Sequence, residues 1–132
     1  MNYLLDTNVC VDVLKGQPQV CARLEAISPA DCVISSVTAF ELVTGVRRCS
    51  QPDRERKKLE KLFAIIDVLP FDLAAAEEAA RVRQELELAG QKIGPYDLLI
   101  AGQALSARLT LVSNNTREFG RIADLRLSDW RS

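Results

Sequence analysis

Three acidic residues interrupt otherwise apolar stretches of this 132-residue chain. Asp6 follows Tyr-Leu-Leu, Glu41 lies within Phe-Glu-Leu-Val, and Asp97 precedes Leu-Leu-Ile. Carboxylates that converge in an apolar crevice repel one another and take up protons unless a cation neutralises them. Ligands that are all oxygen atoms favour Mg²⁺ or Mn²⁺ over zinc or copper. The three residues together therefore predict a divalent metal site.

Each acidic residue, taken alone, also fits a purely structural role. Asp6 can cap the first helix, and Asp97 lies in a first helical turn, where the helix dipole favours negative charge. Glu41 can close a capping box with Thr38. Only the combination of the three favours a functional site over three separate helix caps.

The chain contains no histidine, which excludes Ser-His-Asp and Cys-His nucleophile pairs and histidine-based zinc sites. Its 17 basic and 18 acidic residues give a net charge of −1, which argues against nonspecific coating of nucleic acid. Residues 47–61, however, hold seven basic and three acidic residues, a net charge of +4. This stretch either contacts a phosphate backbone or forms the solvated face of a helix.

Strand-like and helix-like segments alternate along the chain. Four short apolar segments predict strands, and a fifth predicts an edge strand: 3–6, 32–35, 66–69, 110–112 and 125–127. Helices are predicted between them, with Asp6, Ser36 and Asp72 as N-caps and Gly90 after a C-terminus. Continuously apolar strands separated by helices imply a parallel sheet covered on both faces. We predict an α/β fold with three α/β/α layers, a short, mostly parallel central sheet and one domain over 1–132.

Compartment and cysteine usage also follow from the sequence. The four cysteines lack CxxC spacing and lie in or beside apolar stretches, so we expect them to be buried thiols: Cys10, Cys21, Cys32 and Cys49. Free thiols suit a reducing cytoplasm. The N-terminus does not resemble a signal peptide, and no apolar run approaches the ~18 residues of a membrane span. We expect a cytoplasmic protein without membrane contact.

A polar segment, Ser113 to Glu118, follows the fourth predicted strand and is expected at the same sheet edge as Asp6. Within it, Asn115 can cap a short helix, with Glu118 closing a capping box. Arg117 is a candidate for a phosphate contact and can equally pair with a nearby carboxylate.

Four segments in order resemble the PIN domain, and more closely the VapC toxins of bacterial toxin–antitoxin pairs. They are LLDTN at 4–8, TAFEL at 38–42, IGPYDLLIA at 93–101 and LVSNNTREF at 111–119. The resemblance implies a Mg²⁺-dependent endoribonuclease, with Mn²⁺ able to substitute, whose metal ligands match Asp6, Glu41 and Asp97. The position that is often aspartate in PIN domains matches Asn115 here, and the nearby acid is Glu118, so either residue can complete the catalytic set.

The family resemblance also implies partners. A VapC-type toxin forms homodimers and takes structured RNA, most plausibly tRNA, as its substrate. A VapB-type antitoxin holds it inactive, and the toxin contacts DNA only indirectly, through this antitoxin. Thr7 and Asn8 beside Asp6, together with Ser113, are candidates for hydrogen bonds to the ligating carboxylates or a phosphate, and equally for caps and turn residues. Because the chain lacks histidine, we expect hydrolysis by water rather than attack by the RNA 2′-hydroxyl.

Two alternatives remain at the level of sequence. A receiver or haloacid-phosphatase domain would also place an aspartate after an early strand, but the phosphatase signature needs an acid where Asn8 stands. A receiver needs an early acidic pair and a late lysine, and both are missing. The other alternative is a noncatalytic PIN-like module that binds RNA or an antitoxin, which Asn115 favours.

Overall fold

The structure is a computed structural model that describes residues 1–131, so the predicted domain, 1–132, extends one residue beyond the described part. The described residues form five strands, seven α-helices and a 3₁₀ turn at Pro29–Asp31. In chain order these are β1 (Tyr3–Leu5), α1 (Thr7–Leu14), α2 (Pro18–Ile27), β2 (Cys32–Ser35), α3 (Ser36–Arg48), α4 (Pro52–Ile65), β3 (Asp67–Leu69), α5 (Leu73–Leu88), α6 (Pro95–Ala107), β4 (Thr110–Val112), α7 (Thr116–Phe119) and β5 (Leu127–Ser128).

The strands form one sheet in the order β3-β2-β1-β4-β5, and every pairing is parallel. This confirms the predicted α/β class. The first strand lies in the middle, with β2 on one side and β4 on the other, and Leu5 lies opposite both Ile34 and Val112. The strand order therefore reverses beside β1, and ligands of open parallel sheets collect at the carboxyl ends of strands at such a point.

Alternate residues of the central strands face two separate cores, because side chains point to opposite faces along a strand. Leu5 and Ile34 belong to one core, which also contains buried residues of α1, α2, α3 and α4. Leu4 and Val33 belong to the other, which contains residues of α5, α6 and α7. Helices therefore cover both faces of the sheet, as the predicted three-layer architecture requires.

The start of α3 differs from the prediction by one residue. Ser35, rather than Ser36, is the N-cap, and its hydroxyl accepts a hydrogen bond from the Val37 N–H. Thr38 consequently lies inside the helix, so the proposed capping box between Thr38 and Glu41 is wrong. The Glu41 side chain is thereby free to face another element.

Other boundaries are close to the predictions, with three corrections. The first strand ends at Leu5 and leaves Asp6 as a cap, and the last strand is Leu127–Ser128 rather than 125–127, because Leu127 and Ser128 pair with β4. The cysteines are unpaired thiols as expected, but only Cys10 and Cys32 are buried, whereas Cys21 in α2 and Cys49 directly after α3 are half-buried. The caps Asp72 and Gly90 are confirmed.

Helices α5 and α6 pack closely because Gly102 has no side chain. A Cβ atom at this position would lie 2.5 Å from the Cβ of Ala79. This contact fixes the position of α6, whose first turn carries Asp97. In residues 1–131, no helix is both long enough and apolar enough to cross a membrane.

Candidate functional site

Asp6 and Ser113 meet where the two central strands end. Asp6 is 3% exposed and is the N-cap of α1, with its Oδ1 accepting a hydrogen bond from the Val9 N–H at 2.9 Å. The hydroxyl of the fully buried Ser113 donates to Oδ2 of the same carboxylate at 2.5 Å. The predicted cap role of Asp6 is therefore confirmed, and it leaves the carboxylate fixed at the switch point of the sheet.

Glu41 is held from the first helix rather than from its own. The Thr7 hydroxyl donates to Glu41 Oε1 at 2.6 Å and lies 3.1 Å from the hydroxyl of Thr38, which is fully buried. These contacts join α1 to α3 across the sheet edge. Glu41 is thus oriented by the residue that directly follows Asp6.

Asn115 joins two acidic side chains. Its Nδ2 donates to Asp97 Oδ2 at 3.3 Å and to Glu118 Oε2 at 2.8 Å. Asn115 is the N-cap residue of α7, but its side chain makes no capping hydrogen bond, so the capping role considered for it is wrong. Its backbone N–H donates to the Ser113 hydroxyl oxygen at 2.9 Å, which connects this group to Asp6.

The environment of Asp6 disfavours its charged form. Burial raises its pKa, and the hydrogen bonds from Ser113 and Val9 act in the opposite direction without cancelling the effect. The nearby charges of Asp12 and Glu41 raise this pKa further. A cation at this edge of the sheet would relieve the same repulsion.

Asp97 and Glu118 are shifted in opposite directions. Burial raises the pKa of Asp97 to about 7, and the hydrogen bond and charge of Glu118 and the charges of Asp6 and Glu41 add to this effect. Hydrogen bonds from Asn115 and Asp97 lower the pKa of Glu118. The proton shared by this pair is therefore on Asp97. A nearby cation would stabilise the charged form of Asp97.

Two predicted residues remain outside this hydrogen-bonded group. Asn8 and Arg117 are exposed, and within residues 1–131 neither side chain makes a hydrogen bond or an ion pair. The alternative in which Arg117 pairs with a nearby carboxylate is therefore wrong. Sequence reasoning missed the role of Thr38, because its spacing to Glu41 looked like a helix-capping pattern.

The chain is similar to proteins of one family over nearly its whole length. The family model described as the PIN domain matches residues 3–125. The chain is 39% identical over 130 residues to the tRNA(fMet)-specific endonuclease VapC of Shigella flexneri, covering 98% of each protein. The chain belongs to the VapC ribonucleases of the PIN-domain family. This membership rules out the receiver and haloacid-phosphatase alternatives.

Further relatives agree with this VapC assignment. The Ribonuclease VapC2 of Rickettsia felis is 35% identical to this PIN domain over 132 residues, again covering 98% of each chain. Among solved structures, the DNA-bound VapBC of Salmonella typhimurium superposes with a TM-score of 0.94 at 37% identity, covering 98% of each chain. The fold and the family are thus established together.

The donor set of this PIN domain fits a hard divalent cation. Asp6, Glu41, Asp97 and Glu118 offer carboxylate oxygens, and the chain has no histidine to compete. Repulsion among these acids contributes to the raised pKa of Asp97, which a cation would reverse. Within residues 1–131, no three acidic or cysteine side chains are grouped closely enough to form a ready coordination site. Hydrogen bonds from Val9, Thr7, Ser113 and Asn115 hold the oxygens instead.

Proposed function

We propose that this chain, as a single domain over residues 1–132, is the toxin of a VapBC-type pair and hydrolyses phosphodiester bonds of structured RNA, with tRNA as the substrate class. The observation that carries the proposal is the hydrogen-bonded chain from Asp6 through Ser113 and Asn115 to Asp97 and Glu118. It lies at the sheet edge where ligands of open parallel sheets bind. The tRNA endonuclease among the relatives supports the substrate class.

Asp6, Glu41 and Asp97 are the residues that would hold Mg²⁺, or Mn²⁺ in its place. The cation supplies charge neutralisation at the phosphodiester and Lewis acidity towards water. Asp6 is kept in place by Ser113, and Glu41 by Thr7, so neither carboxylate has to be ordered when RNA binds. We assign both to binding and orientation.

Glu118 completes the catalytic set in this proposal. Its carboxylate accepts a hydrogen bond from the Asn115 amide, while the neighbouring Asp97 holds the shared proton of the pair. Once Asp97 has lost its proton, the Glu118 carboxylate no longer accepts a hydrogen bond from it. Glu118 can then act as a general base and take a proton from water. We assign Arg117, which precedes Glu118, is exposed and has no protein partner in residues 1–131, to contact with a phosphate oxygen.

We assign the antitoxin to a groove of about 410 Å³ that begins at Thr7 and Glu41. Its floor is apolar, with Val11 and Leu42 among the lining residues. Its lining also includes charged residues: Lys15, Arg54, Glu55 and Lys58. An extended VapB-type segment with apolar side chains would cover this floor and end over Glu41. The VapBC complexes among the related structures support such a partner, and the partner would account for any contact with DNA.

A nuclease assay tests the proposal. Protein purified free of antitoxin is expected to cleave tRNA with added Mg²⁺ or Mn²⁺ and to stop on addition of EDTA. Asp6→Asn and Asp97→Asn should remain folded and lose cleavage, whereas Asp67→Asn, at an exposed acid that starts β3, should cleave normally. Cleavage that persists in both site variants would refute the metal-site assignment.

The second candidate is a noncatalytic module that binds RNA or the antitoxin. Asn115 favours it, because an amide stands between Asp97 and Glu118 where an acid is usual in the family. The same assay separates the two candidates, since the noncatalytic module would bind tRNA without cutting it. Induced expression that slows growth for the natural chain but not for Asp6→Asn would favour the nuclease.

A further inference from the structure

Two exposed aromatic side chains directly precede two of the predicted metal ligands in the sequence. Phe40 is 55% exposed and Tyr96 is 45% exposed, and their ring centroids lie 5.8 Å apart with planes tilted by 57°. Phe40 immediately precedes Glu41 in α3, and Tyr96 immediately precedes Asp97 in α6. The pair therefore bridges the two helices that carry predicted metal ligands, one residue away from each of them.

We propose that Phe40 and Tyr96 form a stacking platform for an unpaired base of the RNA substrate. This inference rests on the proposed function, because it places the base next to the phosphodiester that would be cut. Unpaired RNA bases are bound mainly by stacking on aromatic side chains, which works for any base because every base has a π-face. The platform would select single-stranded RNA over duplex RNA, whose bases are already stacked.

The surface around the pair suits a nucleic acid strand better than a second protein chain. Arg47 lies two helical turns beyond Phe40 on α3, roughly 10 Å along the helix axis, and within residues 1–131 it makes no ion pair. A base on Phe40 would thus leave its backbone near a free guanidinium group. The most exposed other large apolar side chains within helices, Leu73 and Leu88, lie at the two ends of α5, on neither of the helices that carry Phe40 and Tyr96.

The patch is also small for self-association. Two half-exposed rings offer far less than the ~800 Å² per partner of a standard protein interface. The chain contains only seven aromatic residues, of which these two are the exposed ones among the described residues. Two exposed rings in contact, beside the proposed reaction site, therefore point to a planar ligand.

Substitutions that keep bulk but remove the ring test the platform. The Phe40→Leu/Tyr96→Leu double variant should bind a synthetic RNA stem-loop about 5- to 100-fold more weakly, whereas Tyr96→Phe should bind as the natural chain does. Binding is measured with Ca²⁺ in place of Mg²⁺ by fluorescence anisotropy. Stem-loops that carry 2-aminopurine in the loop add a direct readout, because stacking on a ring quenches its fluorescence. Leu88→Ala, at 79% exposure, is the control for loss of a surface apolar side chain.

The outcomes separate this inference from the proposed function. Loss of loop quenching in the double variant, with an unchanged thermal unfolding midpoint, supports the platform. Unchanged RNA affinity and quenching would overturn it, as would a shift of the double variant from dimer to monomer in sedimentation, which would assign the pair to self-association. If the natural chain shows ring-dependent binding but never cleaves RNA with Mg²⁺, the platform stands and the nuclease proposal fails.

Discussion

The Ser113 hydroxyl donates a hydrogen bond to Asp6 Oδ2 at 2.5 Å, although 107 residues separate them in sequence. The contact exists because β1 and β4 are adjacent parallel strands that end in register, with Leu5 opposite Val112. It also positions the loop after β4, since the Ser113 oxygen accepts the Asn115 N–H. One hydroxyl therefore links the buried acid of the first strand to the acids of α6 and α7.

Ser113→Ala should damage both stability and activity. Removal of the hydroxyl leaves Asp6 Oδ2 without its donor and raises the pKa of Asp6 further, because that hydrogen bond opposes the effect of burial. We expect a loss of about 1–2 kcal/mol in the free energy of unfolding and a roughly 10- to 100-fold loss in metal affinity or cleavage. Urea denaturation and Mn²⁺ titration measure the two effects.

Ser106→Ala is the matched control for this variant. Its hydroxyl donates only to the Gln103 carbonyl within α6. Stability and metal affinity should both stay close to those of the natural chain. Equal losses in the two serine variants would contradict a special role for Ser113.

The charge state of Asp97 should make metal-free stability depend on pH. Its pKa is about 7 in the folded protein, against an ordinary value of 3.8. Between these values the folded state binds a proton that the unfolded state has lost, so stability falls as pH rises from about 4 to about 7. The lowered pKa of Glu118 acts in the opposite direction only at the acidic end, near its ordinary value of 4.5.

In Asp97→Asn, the free energy of unfolding should therefore fall less steeply above about pH 5 than in the natural chain. Urea denaturation in EDTA at several pH values measures this difference. Metal binding has the opposite sign, because the ligand is the deprotonated carboxylate. In the natural chain, Mn²⁺ affinity should rise between about pH 6 and about pH 8 as Asp97 loses its proton. A metal affinity that is flat across this range would rule out Asp97 as a ligand that titrates near pH 7.

Asn115→Asp should strengthen metal binding and weaken the metal-free fold. The change replaces the amide donor between Asp97 and Glu118 with a further negative charge. We expect roughly tenfold tighter Mn²⁺ binding and a loss of about 1 kcal/mol of metal-free stability, because like charges now face each other without a donor. Isothermal titration calorimetry and thermal unfolding with EDTA check the two parts.

The neighbouring substitution Asn114→Asp supplies the control, since it adds the same charge one residue away and its side chain makes no hydrogen bond in the described residues. It should leave metal affinity within about twofold. If Asn115→Asp instead confers cleavage on a chain that otherwise has none, the noncatalytic alternative holds for the natural sequence.

The parts of this molecule that could be predicted are those fixed by local pattern. The apolar segment before Asp6 predicted the first strand, which ends one residue earlier than expected, at Leu5. The segment around Asp97 predicted a first helical turn at this residue, and this prediction holds. The spacing of Thr38 and Glu41 was misleading. Helix α3 is capped by Ser35, one residue before the predicted cap Ser36, and local sequence cannot distinguish these two helix starts. The donation from Thr7 to Glu41 depends on how α1 and α3 pack, which no local pattern encodes.

Contacts of the C-terminal segment could not be predicted from local sequence either. Arg131 forms a bidentate ion pair with Asp12 on α1, at 2.6 and 2.9 Å, across 119 positions of sequence. The preceding Trp130 is buried and meets the ring of Tyr3 edge-on at 6.0 Å between centroids. These contacts fasten the end of the described chain to the strand and helix that flank Asp6. Local sequence patterns had no means of assigning Asp12 as the partner of Arg131.

Arg131→Ala should therefore lower the thermal unfolding midpoint, because it leaves the buried Asp12 carboxylate without its partner. The double variant Asp12→Asn/Arg131→Ala removes the unpaired charge and should recover part of the loss, which a double-mutant cycle measures. Arg83→Ala, which breaks an exposed pair with Glu87 on α5, should change the midpoint very little. If the two arginine variants unfold at the same temperature, the C-terminal pair does not stabilise the region around Asp6.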